Sequence, residues 1–441
     1  MPSQKIIKNN IQSPKGMHDI LADDYVFYQD IYDKAEEIAS YYGFKPIQTP
    51  HLERAELFTA AVGQSTDIVE KEMYTLRTKG GDALALRPEG TAPIMRAYIE
   101  HGMHTLPQPV MLWYKGSFFR HESPQKGRFR ELRQFGLEII GEAKPIGEAI
   151  IIKIITIVLK ELGIGPIIVH INSIGDKKCR GEYRKKLVSY YRKKTKYLCN
   201  DCQNRLKTNP FRLLDCKGPG CLEIKKDAPQ TVDFLCNFCK QHFKEVLEFL
   251  DSSEIPYFLD THLVRGLDYY SRTVFEIFAD DGNKEENFGF FSLAGGGRFD
   301  YLAKILGKRD IPGIGGGIGV DRVVMIMREK NIIPKQKRVP KAFFIQLSQT
   351  AKQKSLSIIE MLRSADIYVA QSISKDNLNG QLGLASKLKV PYALIMGQKE
   401  ALENSIIIRN MDSGTQTSVP MEKVVEILKR KPKEIKKTNN D

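Results

Sequence analysis

The chain has 441 residues, 42% of them hydrophobic and 27% charged, with a formal net charge of +14 and a pI near 9.2. That length supports two or three domains with full cores, and no apolar run approaches the ~20 residues that cross a bilayer, so no membrane association is expected. Seven cysteines, an odd number, argue against an extracellular disulfide framework; with no apolar leader visible near Met1, the expected location is cytoplasmic.

A first zone, residues 1–174, opens with a helical pattern over 23–42 in which Phe27, Ile31, Ala35 and Ile38 recur at 3–4 spacing. Turn-rich segments and short strands follow. Two strand-like runs then enclose the basic loop 123–130, which predicts a hairpin. In its returning strand Gln134, Gly136 and Glu138 share one face by the period of two. The second zone, 175–256, is lysine-rich and helical, opens on a basic helix over 177–196 and holds all seven cysteines. The third, 257–331, returns to strands and glycine-rich loops. The stretch 328–339 reads as a linker. The fourth, 340–431, alternates strands with helices, which predicts a parallel-type sheet. The last ten residues, 432–441, belong to a basic tail expected to be disordered. Net positive charge suggests a polyanionic partner such as nucleic acid, although the tail and the basic helix hold part of the excess.

Three separated segments carry arginines in contexts that suit anion binding. Arg120 closes the first hairpin strand and precedes Glu122. Arg265 lies in the run Leu263-Val264-Arg265-Gly266-Leu267-Asp268-Tyr269-Tyr270, where a fixed cation and two phenols fit a small polar-aromatic ligand, or else a strand with core aromatics. Arg322 follows the glycine run 313–319, whose backbone could approach a ligand closely or simply turn from strand to helix. That run fits neither the lysine-bearing phosphate loop nor the dinucleotide fingerprint.

Taken together and in order, these segments resemble motifs 2 and 3 of the class II aminoacyl-tRNA synthetases. Residues 47–53 resemble their proline-containing motif 1, associated with a homodimer interface. The runs 263–270 and 294–300 resemble the two histidine-specific signatures of the histidyl-tRNA synthetase family, and Leu86-Arg87-Pro88-Glu89-Gly90-Thr91 resembles its amino-acid-binding turn. The resemblance extends from about residue 12 to 427. It implies an α+β catalytic domain whose central antiparallel sheet is flanked by helices, a helical insertion, and a C-terminal α/β anticodon-binding domain. The implied reaction ligates L-histidine to tRNA(His) through a histidyl-adenylate, using ATP and Mg2+.

By matching position, Arg120 would contact the α-phosphate, Arg265 would sit between carboxylate and α-phosphate, and Arg322 would bind the γ-phosphate. Glu122 and Arg128 would also serve ATP. Glu89, Gly90 and Thr91 would hold the α-ammonium, Glu138 and Tyr270 the imidazole nitrogens, Gln134 the carboxylate side, with Tyr269 in the same wall. Gln125 and Arg130 would meet the tRNA acceptor end, which carries an extra 5′ guanosine in this family. The chain departs from the family at Leu132, where an aromatic commonly stacks on adenine, and at Ser123 and Phe299. Two competing readings are a regulatory subunit of ATP phosphoribosyltransferase, which shares the fold without the anticodon domain, and another class II synthetase.

Two C-x2-C pairs, Cys199/Cys202 and Cys236/Cys239, have the local spacing of a structural zinc site. Cys216 and Cys221 lie between them. The long interval between the pairs, and a resembled family whose chemistry needs no zinc, leave reduced thiols in a small helical insert as the alternative.

Overall fold

A computed structural model describes residues 11–64, 66–279, 292–335 and 339–429, and the chain divides into two units, residues 1–335 and 336–441. The expected tail at 432–441, and residues 336–338 of the expected linker, lie outside the described residues.

In the first unit, helix α1 (Ala22–Tyr41) buries Tyr28, Ile31, Ala35, Ile38 and Ala39, the stripe that its 3–4 spacing dictates. Tyr28 rather than Phe27 is the inward aromatic, and Phe27 packs at the margin of the core. Strands β1 (Lys45–Pro46) and β2 (Leu52–Arg54) bracket the motif-1 segment and lead into α2 (Ala55–Val62). With β3 (Thr75–Arg77) and β4 (Ala83–Leu86), β2 forms a small antiparallel sheet in the order β2-β4-β3. After α3 (Thr91–Glu100), β5 (Val110–Phe119) and β6 (Glu131–Ile140) pair antiparallel along their whole length around the basic loop. Helix α4 (Ile146–Glu161) is isoleucine-rich on most of its surface and correspondingly enclosed, and β7 (Ile167–Ser173) follows it.

The cysteine-bearing segment folds as helices α5 (Lys177–Arg192), α6 (Asn200–Thr208), α7 (Pro219–Lys226) and α8 (Asn237–Ser252). Asp176 caps α5 by accepting from the backbone N–H groups of Lys178 and Cys179. A small core of its own gathers Tyr183, Leu187, Tyr191, Leu213, Leu214 and Ile224 with three of the cysteines.

The chain then returns to the main sheet through β8 (Tyr257–Leu259), β9 (Ser271–Ala279), β10 (Ala294–Arg298), α9 (Leu302–Ile305) and β11 (Gly313–Gly319), ending in α10 (Val320–Glu329). Eight strands run in the order β1-β5-β6-β11-β10-β9-β7-β8. The pairings are antiparallel except at the two edges, where β1–β5 and β7–β8 are parallel. Along β6, Phe135, Leu137 and Ile139 enter a core with α1, α4 and α10. Gln134, Gly136 and Glu138 face the other side, where Tyr114, Tyr269 and Tyr270 cluster.

In this zone one expectation needs correcting and one alternative falls away. The glycine-rich runs are not loops: residues 294–298 and 313–319 are paired central strands, and glycine stands there because side chains from neighbouring strands lie against the backbone. The run 263–270 is irregular chain between β8 and β9, not a strand.

The second unit contains β12 (Ala342–Gln346), α11 (Gln349–Ser364), β13 (Val369–Gln371), α12 (Leu378–Lys387), β14 (Tyr392–Met396), α13 (Gln398–Glu403), β15 (Ser405–Asn410), β16 (Gln416–Pro420) and α14 (Val424–Lys429). Its sheet, ordered β13-β12-β14-β15-β16, is parallel only among the first three strands. Strands β15 and β16 add antiparallel. Residues 397–404 are too few for the crossover of about a dozen residues that parallel neighbours need.

Candidate active site

Helix α3 begins at a buried carboxylate. Glu89 accepts from the Thr91 and Ala92 backbone N–H groups at 2.7 and 3.0 Å and from the Tyr269 hydroxyl at 3.0 Å. Gly90 is the N-cap residue between them. The helix dipole favours a negative charge here, but burial outweighs it and pushes the Glu89 carboxyl up, against the bonds from Ala92, Thr91 and Tyr269. Three donors on two oxygens leave room for one more.

Across the sheet, Thr91 Oγ1 donates to Glu138 Oε1 at 2.7 Å. The other oxygen, Oε2, is buried and makes no hydrogen bond of ordinary geometry among the described residues. Burial pushes Glu138 well above the usual carboxyl range, although the Tyr114 hydroxyl stands close enough to the carboxyl to lower its pKa in part. Gly315 on β11 is paired with Glu138 and permits this arrangement, since a Cβ there would stand 1.7 Å from Oε2. Tyr269 and Tyr270 pack at 4.7 Å between ring centroids, tilted by 54°, and Arg265 lies 5.9 Å from the Tyr270 ring centre.

Beside this closed cluster is a cleft of about 490 Å3 lined by Arg120, Glu122, Arg128, Gln134, Arg265 and Arg322. Neither glutamate of the cluster nor either tyrosine lines it. The two regions adjoin through Arg120, whose Nε donates to Pro88 O at 2.9 Å, through Gln134 on the Glu138 face of β6, and through Arg265 over Tyr270. Arg322 donates from Nε to Gly127 O at 2.9 Å and from Nη1 to Ser292 O at 2.7 Å. Burial, then the adjacent Arg128 and Arg120, lower the Arg322 pKa; cations gathered this closely call for a polyanion. Leu132 and Phe129 supply apolar lining in the same cleft.

The two residues expected at the acceptor end differ in exposure. Gln125 is exposed at the tip of the β5–β6 loop, where its amide oxygen accepts from Arg128 Nε and Nη1 at 3.1 and 3.2 Å, whereas the Arg130 guanidinium is bonded to backbone carbonyls of Glu122 and Lys15 at 3.2 and 3.5 Å. Arg130 therefore fixes the base of the loop.

Sequence reasoning missed the partners that hold these groups. Glu276 on β9 pairs with Arg265. Gly295 opposite Glu276 leaves the space, because a Cβ there would stand 2.7 Å from the guanidinium. Arg87 donates to Thr49 O, Thr49 Oγ1 and Ser117 O at 2.9, 3.1 and 3.0 Å, tying motif 1 to motif 2. Asp67 accepts from Arg205 and Arg212 of the cysteine-bearing segment at 2.8 and 2.7 Å, which brings Asp215, Cys216 and Lys217 to the cleft. The local signal in each case was one charged residue without its partner in view.

The structure does not bring Cys199, Cys202, Cys236 and Cys239 together. Cys199 and Cys202 gather with Cys216 and Cys221, whereas Cys236 and Cys239 gather with Cys179 and Asp176. Each C-x2-C pair sits at the start of a different helix, α6 or α8, and each meets ligands from another element.

A family model described as histidyl-tRNA synthetase matches residues 16–175, and one described as an anticodon binding domain matches residues 332–431. The histidine–tRNA ligase of Caldicellulosiruptor bescii is 40% identical over 96% of this chain and 99% of its own length, and that of Syntrophotalea carbinolica is 39% identical with the same shares. The apo histidyl-tRNA synthetase of S. aureus has a similar structure, with a TM-score of 0.79 at 31% identity, covering 96% of this chain and 100% of that one.

Proposed function

Because this chain belongs to the histidyl-tRNA synthetase family, we propose that it charges tRNA(His) with L-histidine, and that the acid–tyrosine cluster and the arginine cleft divide the work between amino acid and ATP. In the first step the histidine carboxylate attacks the α-phosphate of ATP, giving histidyl-adenylate and pyrophosphate. In the second, the terminal ribose hydroxyl of the tRNA attacks the activated carbonyl and AMP departs.

The observation that carries the amino-acid assignment is Oε2 of Glu138, buried beside Tyr114 and without a well-formed hydrogen bond. A buried carboxyl oxygen without a well-formed bond is costly, and an imidazole ring nitrogen would satisfy it, as donor to the ionised form or acceptor from the protonated one. Tyr270 serves the other ring nitrogen. Glu89, with one acceptor position left, and Thr91 receive the α-ammonium beside Gly90, while Gln134 faces the carboxylate and Tyr269 braces Glu89. A pocket built this way rejects isosteres lacking either ring nitrogen.

On the ATP side, Arg120 meets the α-phosphate and Arg322 the γ-phosphate. Arg265, aimed by Glu276, lies where charge develops between carboxylate and α-phosphate. Preorganised cations in a partly dry cleft stabilise that charge without reorganising during the reaction. Arg128, paired with Glu122 at 3.5 Å, and Leu132 border the nucleotide. Family membership implies Mg2+ as well. Glu72 and Glu122, close enough that Glu122 adds to burial in raising the Glu72 pKa, offer the hard oxygens that would hold it, where it would neutralise phosphate charge. Gln125 is our candidate for the tRNA acceptor end, on a loop that Arg130 braces.

The cations of the cleft and the C-terminal unit both favour a catalyst over a regulatory paralogue. The extended motif-1 segment, with Leu52 41% exposed, supports a homodimer. The absence of a disulfide among the seven cysteines supports a reducing, cytoplasmic location, and no described helix is long and apolar enough to cross a membrane. The decisive experiment is ATP–pyrophosphate exchange with each of the twenty amino acids. Exchange with histidine alone is expected; exchange with another amino acid, or with none, overturns the reading.

A further inference from the structure

We propose that Cys199, Cys202, Cys216 and Cys221 form a tetrahedral four-thiolate site for a structural zinc ion that pins the cysteine-bearing segment against the catalytic cleft. The four sulfurs lie within 4.8 Å of one another. Cys199 Sγ and Cys216 Sγ are 3.8 Å apart. A tetrahedron with Zn–S bonds of about 2.3 Å has edges of about 3.8 Å, so this spacing fits a metal between the sulfurs.

The backbone is arranged for thiolates. Cys199 N–H donates to Cys221 Sγ and Gly218 N–H to Cys216 Sγ, each at 3.4 Å. Cys199 is the N-cap residue of α6, Cys202 lies in the first turn of that helix, and Cys221 lies in the first turn of α7. Two helix N-termini thus converge on the cluster and favour the negative charge that thiolates bring.

Packing shows why a metal is needed. Helix α6 buries only Cys202, and α7 buries only Cys221 and Ile224. Nothing else apolar on α6 is fully buried to hold it, although its Arg205 reaches Asp67 and the following turn supplies Arg212 and Lys217 to the cleft wall. A small core of this kind gains stability from a metal cross-link. Four sulfur ligands in a tetrahedral arrangement select zinc over magnesium or calcium. The second cluster, Asp176 with Cys179, Cys236 and Cys239, is left out because it has three sulfurs and a carboxylate whose Oδ1 already accepts two backbone N–H groups to cap α5.

The test uses the full chain, purified under reducing conditions and dialysed against EDTA. Elemental analysis should find zinc retained at no less than one ion per chain. Cobalt(II) substitution should give the intense visible bands of a tetrahedral tetrathiolate, present in Cys236→Ser and absent in Cys216→Ser. Should Cys216→Ser fail to fold, alkylation of the unaltered protein decides. Cys199 is exposed and reacts at once with iodoacetamide if it is a free thiol. Protection of Cys199 until a strong chelator is added under mild denaturation supports the site. Zinc below about a tenth of an ion per chain, immediate Cys199 labelling, disulfides, iron in place of zinc, or cobalt bands that survive Cys216→Ser each overturn it.

Discussion

At the scale of single residues, Glu138 is held in a state that disfavours its own charge. Burial raises its pKa well above the ordinary value of 4.5, so the folded protein keeps a proton that the unfolded chain releases. The contribution of this group to stability is therefore full below pH 4.5 and falls as pH rises towards the elevated folded value. Glu89 shifts in the same direction. Glu138→Gln removes the falling contribution. Its melting temperature at neutral pH should be no lower than that of the parent, with a flatter decline as pH rises above 4.5. Histidine-dependent exchange should fall roughly 10- to 150-fold, the equivalent of losing a charge-assisted hydrogen bond of about 1.5–3 kcal/mol. A variant less stable at neutral pH yet fully active would show that Glu138 is an ordinary structural acid. Arg265 separates binding from chemistry in another way. Arg265→Ala should cost adenylation about 10²-fold or more, the scale of removing a preorganised donor from the transition state, while histidine binding measured by calorimetry weakens only modestly. Near-normal turnover would remove Arg265 from its assigned place.

At the scale of elements, the central sheet is held by a buried ionic knot that also shows where sequence reading stops. Arg298 on β10 bonds both oxygens of Glu148 on α4, along with Asp300 and the backbone carbonyls of Glu142 and Lys144; His242 of α8 shares Glu148 at 2.7 Å. Burial works against the Glu148 charge, but Arg298, then His242, outweigh it and hold its pKa at about 2. This stability is present above pH 4.5 and is lost as pH falls towards 2. Arg298→Met leaves Glu148 buried without its guanidinium and should cost about 3–5 kcal/mol in denaturant titration, and it should abolish the parent's loss of stability between pH 4.5 and 2. An unchanged midpoint would mean that α4 and β10 are held by packing alone. Arg298 belongs to a run legible as a histidine signature, yet its partner lies 150 positions away, beyond any local pattern. The β5–β6 hairpin was legible because a two-residue period and a polar loop are local facts. The glycine strands were not, because glycine in β11 answers Glu138 on β6, and glycine in β10 answers Arg265 from an irregular segment. The cysteine pairing failed for the same reason: spacing shows which thiols share a turn and is silent on which helix starts meet.

At the scale of the whole molecule, the chain has two units, residues 1–335 and 336–441, each with its own hydrophobic core. Every residue assigned here to histidine and ATP lies in the first, while the anticodon-binding match covers residues 332–431. Adenylation involves only small molecules, so residues 1–335 alone should retain histidine-dependent pyrophosphate exchange within about threefold. Charging of tRNA is different, because two linked units engaging one tRNA gain effective concentration, typically worth 10²–10⁴ in affinity. Aminoacylation by the fragment at sub-saturating tRNA should therefore fall by roughly two orders of magnitude and recover in part at high tRNA. The net charge of +14 adds a second reading of the same experiment. Counterion release makes binding steeply salt-dependent in proportion to the phosphates neutralised, so the slope of log affinity against log salt should be shallower for the fragment than for the full chain. A folded fragment that loses exchange would show that the first unit is not a complete adenylating enzyme. Undiminished aminoacylation with an unchanged salt slope would show that the second unit does not hold the tRNA.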